Sequence, residues 1–206
     1  MSCLNNISVS IIIPAFNSEK WITKCLNSIP KRDDIEIICI DDGSTDDTFN
    51  LISKIFAKRK ENNILLHYNK NQGVSYARNK GIDKAQGEYI LMLDSDDYID
   101  SKVFNEIVDN YLNGEYDMVF YDMLNNFNYR FESNQNNYQS KYGNFKFIKR
   151  HFLGDLRYTV GKQYAEDKEL HLKLMEKYPY CYFAKKVMYY YNWPRKGSLS
   201  AIHENR

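Results

Sequence analysis

What this 206-residue sequence lacks limits its chemistry first. It has no excess of one charge: 28 Lys and Arg are balanced by 27 Asp and Glu, a formal net of +1. That balance gives no reason to expect nucleic acid or an anionic membrane as a main partner. It has no CxxC pair. Cys3, Cys25, Cys39 and Cys181 stand apart, and Cys25 and Cys39 sit among apolar residues. Buried free thiols in a reducing compartment follow, rather than disulfides or a zinc site. No apolar run has the length of a membrane span. Residues 7–13 are apolar, but nothing basic precedes them and Pro14 ends them, so they read as a first strand and not a signal peptide. No GxGxxG follows that strand and no GxxxxGK[ST] occurs anywhere. Dinucleotide binding in the Rossmann manner and P-loop chemistry are therefore disfavoured.

What is present is ordinary for a globular chain: 43% hydrophobic and 27% charged residues. The length suits one domain, or one with a smaller appended half. Tyrosine is abundant, with 18 residues concentrated from Tyr98 onward. Such side chains serve as core, and equally as walls for sugars and bases.

The first half repeats one theme of apolar run, polar turn and amphipathic helix. Residues 7–13, 35–40, 64–68 and 89–93 read as strands. Between them, Trp21, Ile22, Cys25, Leu26 and Ile29 fall on one helical face, with Asn17 or Ser18 as cap. Phe49, Ile52, Ile55 and Phe56 form a second such face, and Val74, Ala77, Ile82 and Ala85 a third. Asp100 caps a helix carrying Val103, Ile107, Val108 and Tyr111, which Gly114 closes. Alternating strands and helices predict an α/β fold with a mostly parallel sheet and helices on both faces. The right-handed crossover then gathers the polar turns at the carboxyl edge, where open α/β sheets bind ligands. Asn17, Asp41, Asp42, Asn71, Gly73, Asp94 and Asp96 are expected to converge there.

The second half is less periodic. Residues 122–144, rich in Asn, Tyr, Ser and Gln, read as a long loop, either plain surface or facing a substrate. Residues 145–152 read as a short helix. Glu166-Asp167-Lys168-Glu169 opens a helix with Leu170, Leu174 and Tyr178 on one face, and Lys173 can pair with Glu169 at i,i+4. Residues 181–183 and 187–191 read as two short strands.

The sharpest chemical signal is Leu91-Met92-Leu93-Asp94-Ser95-Asp96-Asp97-Tyr98. A buried strand cannot hold adjacent carboxylates unless they leave the sheet at its end. There a hard divalent cation with oxygen ligands relieves their repulsion and offers a seat for phosphate oxygens. A solvated turn capping the next helix would use the same residues. A phosphotransferase using Asp94 and Asp96 as nucleophile and acid also remains open, although such a motif normally follows the first strand and here follows the fourth.

Taken in order, four stretches resemble family 2 glycosyltransferases of GT-A fold. They are Val9-Ser10-Ile11-Ile12-Ile13-Pro14-Ala15-Phe16-Asn17, Asp41-Asp42-Gly43-Ser44-Thr45-Asp46, Asn71-Gln72-Gly73 through Ala77-Arg78-Asn79, and Asp94-Ser95-Asp96-Asp97. Glu166-Asp167 and Tyr190-Tyr191 through Arg195 and Ser198 are shorter matches. The likeness is to bacterial enzymes of surface polysaccharides such as capsule and O-antigen. It implies one GT-A domain over 1–206, with a nucleotide-sugar half at 1–100 and an acceptor half with a C-terminal lid at 101–206. It further implies an inverting transfer of a sugar from a nucleotide-diphosphate donor, with UDP favoured, to a hydroxyl of a glycan or lipid-linked saccharide. Pro14, Ala15, Phe16 and Asn17 would line the nucleotide pocket with Glu19 nearby, and Asp42 would accept from the base. Gly73 would let the backbone approach the donor, with Arg78 and Asn79 bracing that loop. Asp94 and Ser95 belong to the donor site, and Asp94 would touch the ribose or a metal-bound water. Asp96 would hold Mn²⁺ or Mg²⁺ on the diphosphate.

On the acceptor side, Asp167 would be the catalytic base and Glu166 would orient the acceptor or a neighbouring group. Arg195 would close over the diphosphate, and His203 could reach the metal. The resemblance departs at Arg157-Tyr158-Thr159-Val160-Gly161-Lys162-Gln163, where relatives carry a Trp-x-Lys-Leu-like segment that shapes the acceptor site. A nucleotide-sugar-binding subunit without turnover is therefore a further reading. The expected location is cytoplasmic, with weak association at the inner membrane face directly or through a partner.

Overall fold

The computed structural model describes residues 7–59, 62–133, 145–162 and 165–192. Four parallel strands form one side of a single sheet: β1 (Val9–Ala15), β2 (Ile35–Asp41), β3 (Asn62–His67) and β4 (Tyr89–Met92). Their order is β3-β2-β1-β4, so β1 lies in the middle. The sheet then continues as β8-β6-β9-β5, with β7 paired to β6. These strands are β5 (Tyr98–Ile99), β6 (Met118–Asn125), β7 (Arg130–Phe131), β8 (Lys146–Lys149) and β9 (Cys181–Tyr191). β6 and β9 are parallel to each other, whereas β8 runs antiparallel to both β4 and β6.

The period-2 pattern of the strands sorts their side chains onto two faces. Val9, Ile11, Ile13 and Ala15 join Ile35, Ile37 and Cys39 in one core, with α1 (Ile22–Ser28), α2 (Thr48–Phe56) and α4 (Ser101–Tyr111) over it. Ile12, Ile38, Ile40, Ile90 and Met92 form the second core, covered by α3 (Val74–Lys84), α5 (Arg150–Leu153) and α6 (Glu166–Met175). Helices thus cover both faces. Pro14 is tolerated within β1 because its nitrogen faces β4, which pairs with β1 only as far as Ile12. Gly87 is required by a close approach: a Cβ there would lie 2.5 Å from the Ser10 nitrogen. The Gly87 amide instead donates to Ser10 Oγ and to the buried Glu36 carboxylate.

Several expectations need correction. Asn17 and Ser18 do not cap α1 with their side chains; the Ser18 carbonyl accepts from the Trp21 and Ile22 amides. Residues 122–125 belong to β6 and not to a loop, because Asp122 is buried where Arg130 and Ser133 donate to it. Residues 146–149 are a strand, and only 150–153 are helical. The two short strands at the end are one, β9, which carries an irregularity in its pairing with β6. Tyr178 lies beyond α6 and is exposed, at φ 54°. The Glu169–Lys173 pair forms as expected, at 2.7 Å. Cys25 and Cys39 are buried and free. Cys3, Arg195, Lys196 and His203 lie outside the described residues. No helix among the described residues is long and apolar enough to cross a membrane.

Candidate active site

The loops after β1, β2, β3 and β4 meet at the carboxyl edge and hold one another. Asn17 sits at φ 48°, and its side-chain oxygen accepts from the Thr45 amide at 2.8 Å. Its own amide donates to Ser44 Oγ at 2.9 Å. The Ser18 amide donates to Thr48 Oγ1, the Glu19 amide to Asp46, and the Asp47 amide back to Glu19. The loop after β1 is thereby fixed to the loop after β2. Pro14 and Ala15 are buried in β1, so they offer backbone and not side chain to a ligand, while Phe16 is 45% exposed at the rim.

Asp42 is buried, and its carboxylate accepts from the Gln72 and Gly73 amides, the latter at 2.7 Å. Burial, with the neighbouring Asp41 charge, holds its pKa above the usual carboxylate range, although these two amides act against that. Asp42 therefore shapes the loop that opens α3. Gly73, at φ 96° and ψ 158°, is the N-cap of that helix. β1 lies between β2, which Asp42 follows, and β4, which Asp94 follows.

The acidic turn after β4 alternates. Asp94 and Asp96 are partly exposed, and Ser95 and Asp97 are buried. Ser95 Oγ meets Ser18 Oγ at 2.7 Å, joining this turn to the loop after β1. Asp97 accepts from the Tyr189 hydroxyl at 2.6 Å and from the Asn192 amide at 2.8 Å. The same hydroxyl accepts from the Asp94 amide. Burial, with the charges of Asp96 and Asp94, pushes the Asp97 carboxyl well above the usual range.

Arg78 links this turn to the second half of the chain. Its guanidinium is only 5% exposed and donates to Asp94 Oδ1 and Glu166 Oε1, both at 2.8 Å. Burial alone would lower its pKa, but Asp94, Tyr158 and Glu166 override that and hold it charged. Arg78 was expected to brace the loop at Gly73, and the structure corrects this. Arg78 spans two acids, and Asn79 exchanges two hydrogen bonds with the Tyr158 backbone, each 2.9 Å. Asp167 follows Glu166 in the first turn of α6, partly exposed, and accepts from the Lys168 amide. The buried Lys146 lies close enough to feel its charge. Burial pushes the Lys146 amine down to about 8, and Asp167 and Cys181 act against that.

For a divalent cation the donor set is two carboxylates on one turn. Asp94 has Arg78 as counter-charge, and Asp96 stands two residues further along the same turn, partly exposed. Among the described residues no group of three or more His, Cys, Asp or Glu could hold a metal alone. From the sequence Ser18 is legible only as a candidate cap and Asp97 only as the third acid of its cluster; Tyr189 sits in a tyrosine run and carries no local mark.

This fold, with acids at the carboxyl edge facing a Glu-Asp helix start, defines an α/β protein of GT-A type. The chain belongs to glycosyl transferase family 2, whose profile matches residues 10–185. That membership sets aside the phosphotransferase reading. The chain is 43% identical over 101 residues to a poly(ribitol-phosphate) beta-glucosyltransferase of Bacillus spizizenii, a stretch covering 47% of this chain and 16% of that one. Its fold is similar to the crystal structure of S. aureus TarS 1–349 in complex with UDP-GlcNAc. The TM-score is 0.80 at 24% identity, over 94% of this chain and 61% of that one. It is also similar to a mannosyltransferase of Pyrobaculum calidifontis in complex with GDP-Man and Mn²⁺. There the TM-score is 0.73 at 17% identity, over 93% of this chain and 59% of that one. The matched stretch spans 16%, 39% and 32% of the length of three curated relatives.

Proposed function

We propose that this chain carries the catalytic part of an inverting glycosyltransferase that builds bacterial surface polysaccharide. The donor is a nucleotide-diphosphate sugar, with UDP favoured. The acceptor is a hydroxyl of a glycan or of a lipid-linked saccharide. The observation that carries this reading is the buried Arg78, which brings Asp94 and Glu166 into one site although 72 residues separate them in the chain.

Phe16 and the backbone at Pro14 and Ala15 border the nucleotide, with Asn17 and Glu19 fixing the loop beside it. Gly73, held by Asp42, leaves room for the donor's approach. Asp96, with Asp94 beside it, would hold Mn²⁺ or Mg²⁺, and the bound ion would neutralise charge on the diphosphate. Asp167 acts as general base. It takes the proton from the acceptor hydroxyl as that oxygen bonds to the anomeric carbon and the bond to the diphosphate oxygen breaks. The first-turn position in α6 suits this role, because the helix dipole favours negative charge there. Arg195 would close over the leaving group.

The test is transfer or hydrolysis of UDP-, GDP- and dTDP-sugars, with and without chelator. Asp96→Ala is expected to remove the metal dependence of UDP binding. Asp167→Asn is expected to keep UDP binding and lower kcat by about 10²–10⁴-fold. Binding without turnover in the native protein would favour the binding-subunit reading. Near-normal transfer by Asp167→Asn and Glu166→Gln alike would remove the base assignment.

A further inference from the structure

The start of α6 is built unusually. Its N-cap, Ala165, stands in the left-handed region at φ 58°, ψ 30°, and has no polar side chain with which to cap the helix. The first residue, Glu166, is instead anchored to Arg78. Arg78 projects from the middle of α3, a helix that cannot shift easily. Ala77 and Ile82 are buried on either side, and at Gly81 the helix lies so close to the sheet that a Cβ would meet Ile12 Cγ2 at 2.2 Å. The guanidinium uses one prong for Glu166 and the other for Asp94. It lies beside the Tyr158 ring, 5.2 Å from the centroid, and that ring's backbone is pinned by Asn79. Its Nε–H is buried and has no hydrogen-bond partner among the described residues.

We propose that Arg78 is a positioning residue that couples the donor-side turn to the base-bearing helix. This rests on the reading of Asp94 and Asp96 as the donor site and Asp167 as the base. A ligand that orders Asp94 orders Arg78, and through it Glu166 and the neighbouring Asp167. By linkage, ordering of α6 acts back on the donor end to the same extent. The planar fork is essential, since a lysine ammonium cannot span both carboxylates in the same geometry. Glu166, 12% exposed and committed to Arg78, thus serves the reaction by holding the helix start.

The test is hydrogen exchange on the full chain, with and without UDP plus Mn²⁺. In the native protein, exchange is expected to slow both at Gly73 with the start of α3 and at the first turn of α6. In Glu166→Ala and in Arg78→Lys, slowing at Gly73 is expected to persist and slowing at α6 to vanish. Glu166→Gln, whose amide oxygen still accepts from Arg78, is expected to restore it. In transfer assays Glu166→Ala should lose about 10²-fold in kcat, the cost of a small misplacement, with donor KM changed less than about 3-fold. Glu166→Gln should keep kcat within about tenfold of native. Slowing at Gly73 but not at α6 in the native protein overturns this proposal alone. So does a Glu166→Gln variant that behaves like Glu166→Ala. No response at either place overturns the donor-site reading, and this proposal with it.

Discussion

Replacing Gly73 by Ala separates a backbone cost from a ligand cost at a single atom. Gly73 adopts φ 96° and ψ 158°, a region that residues with a Cβ avoid. A Cβ built there meets nothing within 4 Å among the described residues, so steric overlap with them contributes no penalty. The variant has two choices. It can keep the backbone and accept strain of about 1–3 kcal/mol. Or it can relax to negative φ and turn the amide away from Asp42, which now accepts it at 2.7 Å. Losing a hydrogen bond to a buried carboxylate costs about 1.5–3 kcal/mol. The chain takes the cheaper route, so either way stability falls by about 1–3 kcal/mol. For a chain of this size that corresponds to a Tm lowered by about 2–12 °C.

The open space at that Cβ lies where the donor is proposed to approach, so UDP affinity should fall at least about tenfold, or about 1.4 kcal/mol. Gly161→Ala is the control. Gly161 also has positive φ, 86°, and a Cβ there also meets nothing within 4 Å among the described residues. It should lose stability to a similar extent while keeping UDP affinity. Denaturation curves and calorimetry with UDP and Mn²⁺ supply both readings. If Gly73→Ala leaves UDP affinity intact, the donor does not approach the backbone there. If it leaves stability intact, the backbone argument is wrong.

Lys146 carries a pH signature. Its folded pKa is lowered from 10.5 to about 8. The unfolded chain therefore binds more protons between these values, and stability should rise with pH across that window by up to about 3 kcal/mol. Lys146→Met should remove the rise; parallel stability–pH curves for variant and native protein would refute this. Tyr189→Phe takes a donor from buried Asp97 and an acceptor from the Asp94 amide. It should cost about 1–3 kcal/mol, and an unchanged denaturation midpoint would count against it. Gly81→Ala gains about 1 kcal/mol of helix propensity but drives a Cβ into Ile12 at 2.2 Å and Ile40 at 3.0 Å. Overpacking of about 1–3 kcal/mol should leave a net loss, and a raised Tm would refute the clash.

The sequence by itself determined the strands β1 to β4, the helices between them, and the edge at which their acids emerge. The reason is local: side-chain period and chain punctuation report which face of an element is buried. The i,i+4 pair of Glu169 and Lys173, and the Asp100 cap of α4, were legible on the same ground. Only the tertiary structure decided what stands beside what. Periodicity does not say that β8 inserts antiparallel between β4 and β6, or that β9 is one strand parallel to β6. Nor does any local pattern tell that Asp42 holds the loop at Gly73, that Asp97 answers to Tyr189, or that Arg78 reaches past its own loop to Glu166. A carboxylate marks a site wherever it stands in a sequence. Its partner is set by packing between elements distant in the chain, and that partner determines whether it is left to meet a ligand or used to hold the fold.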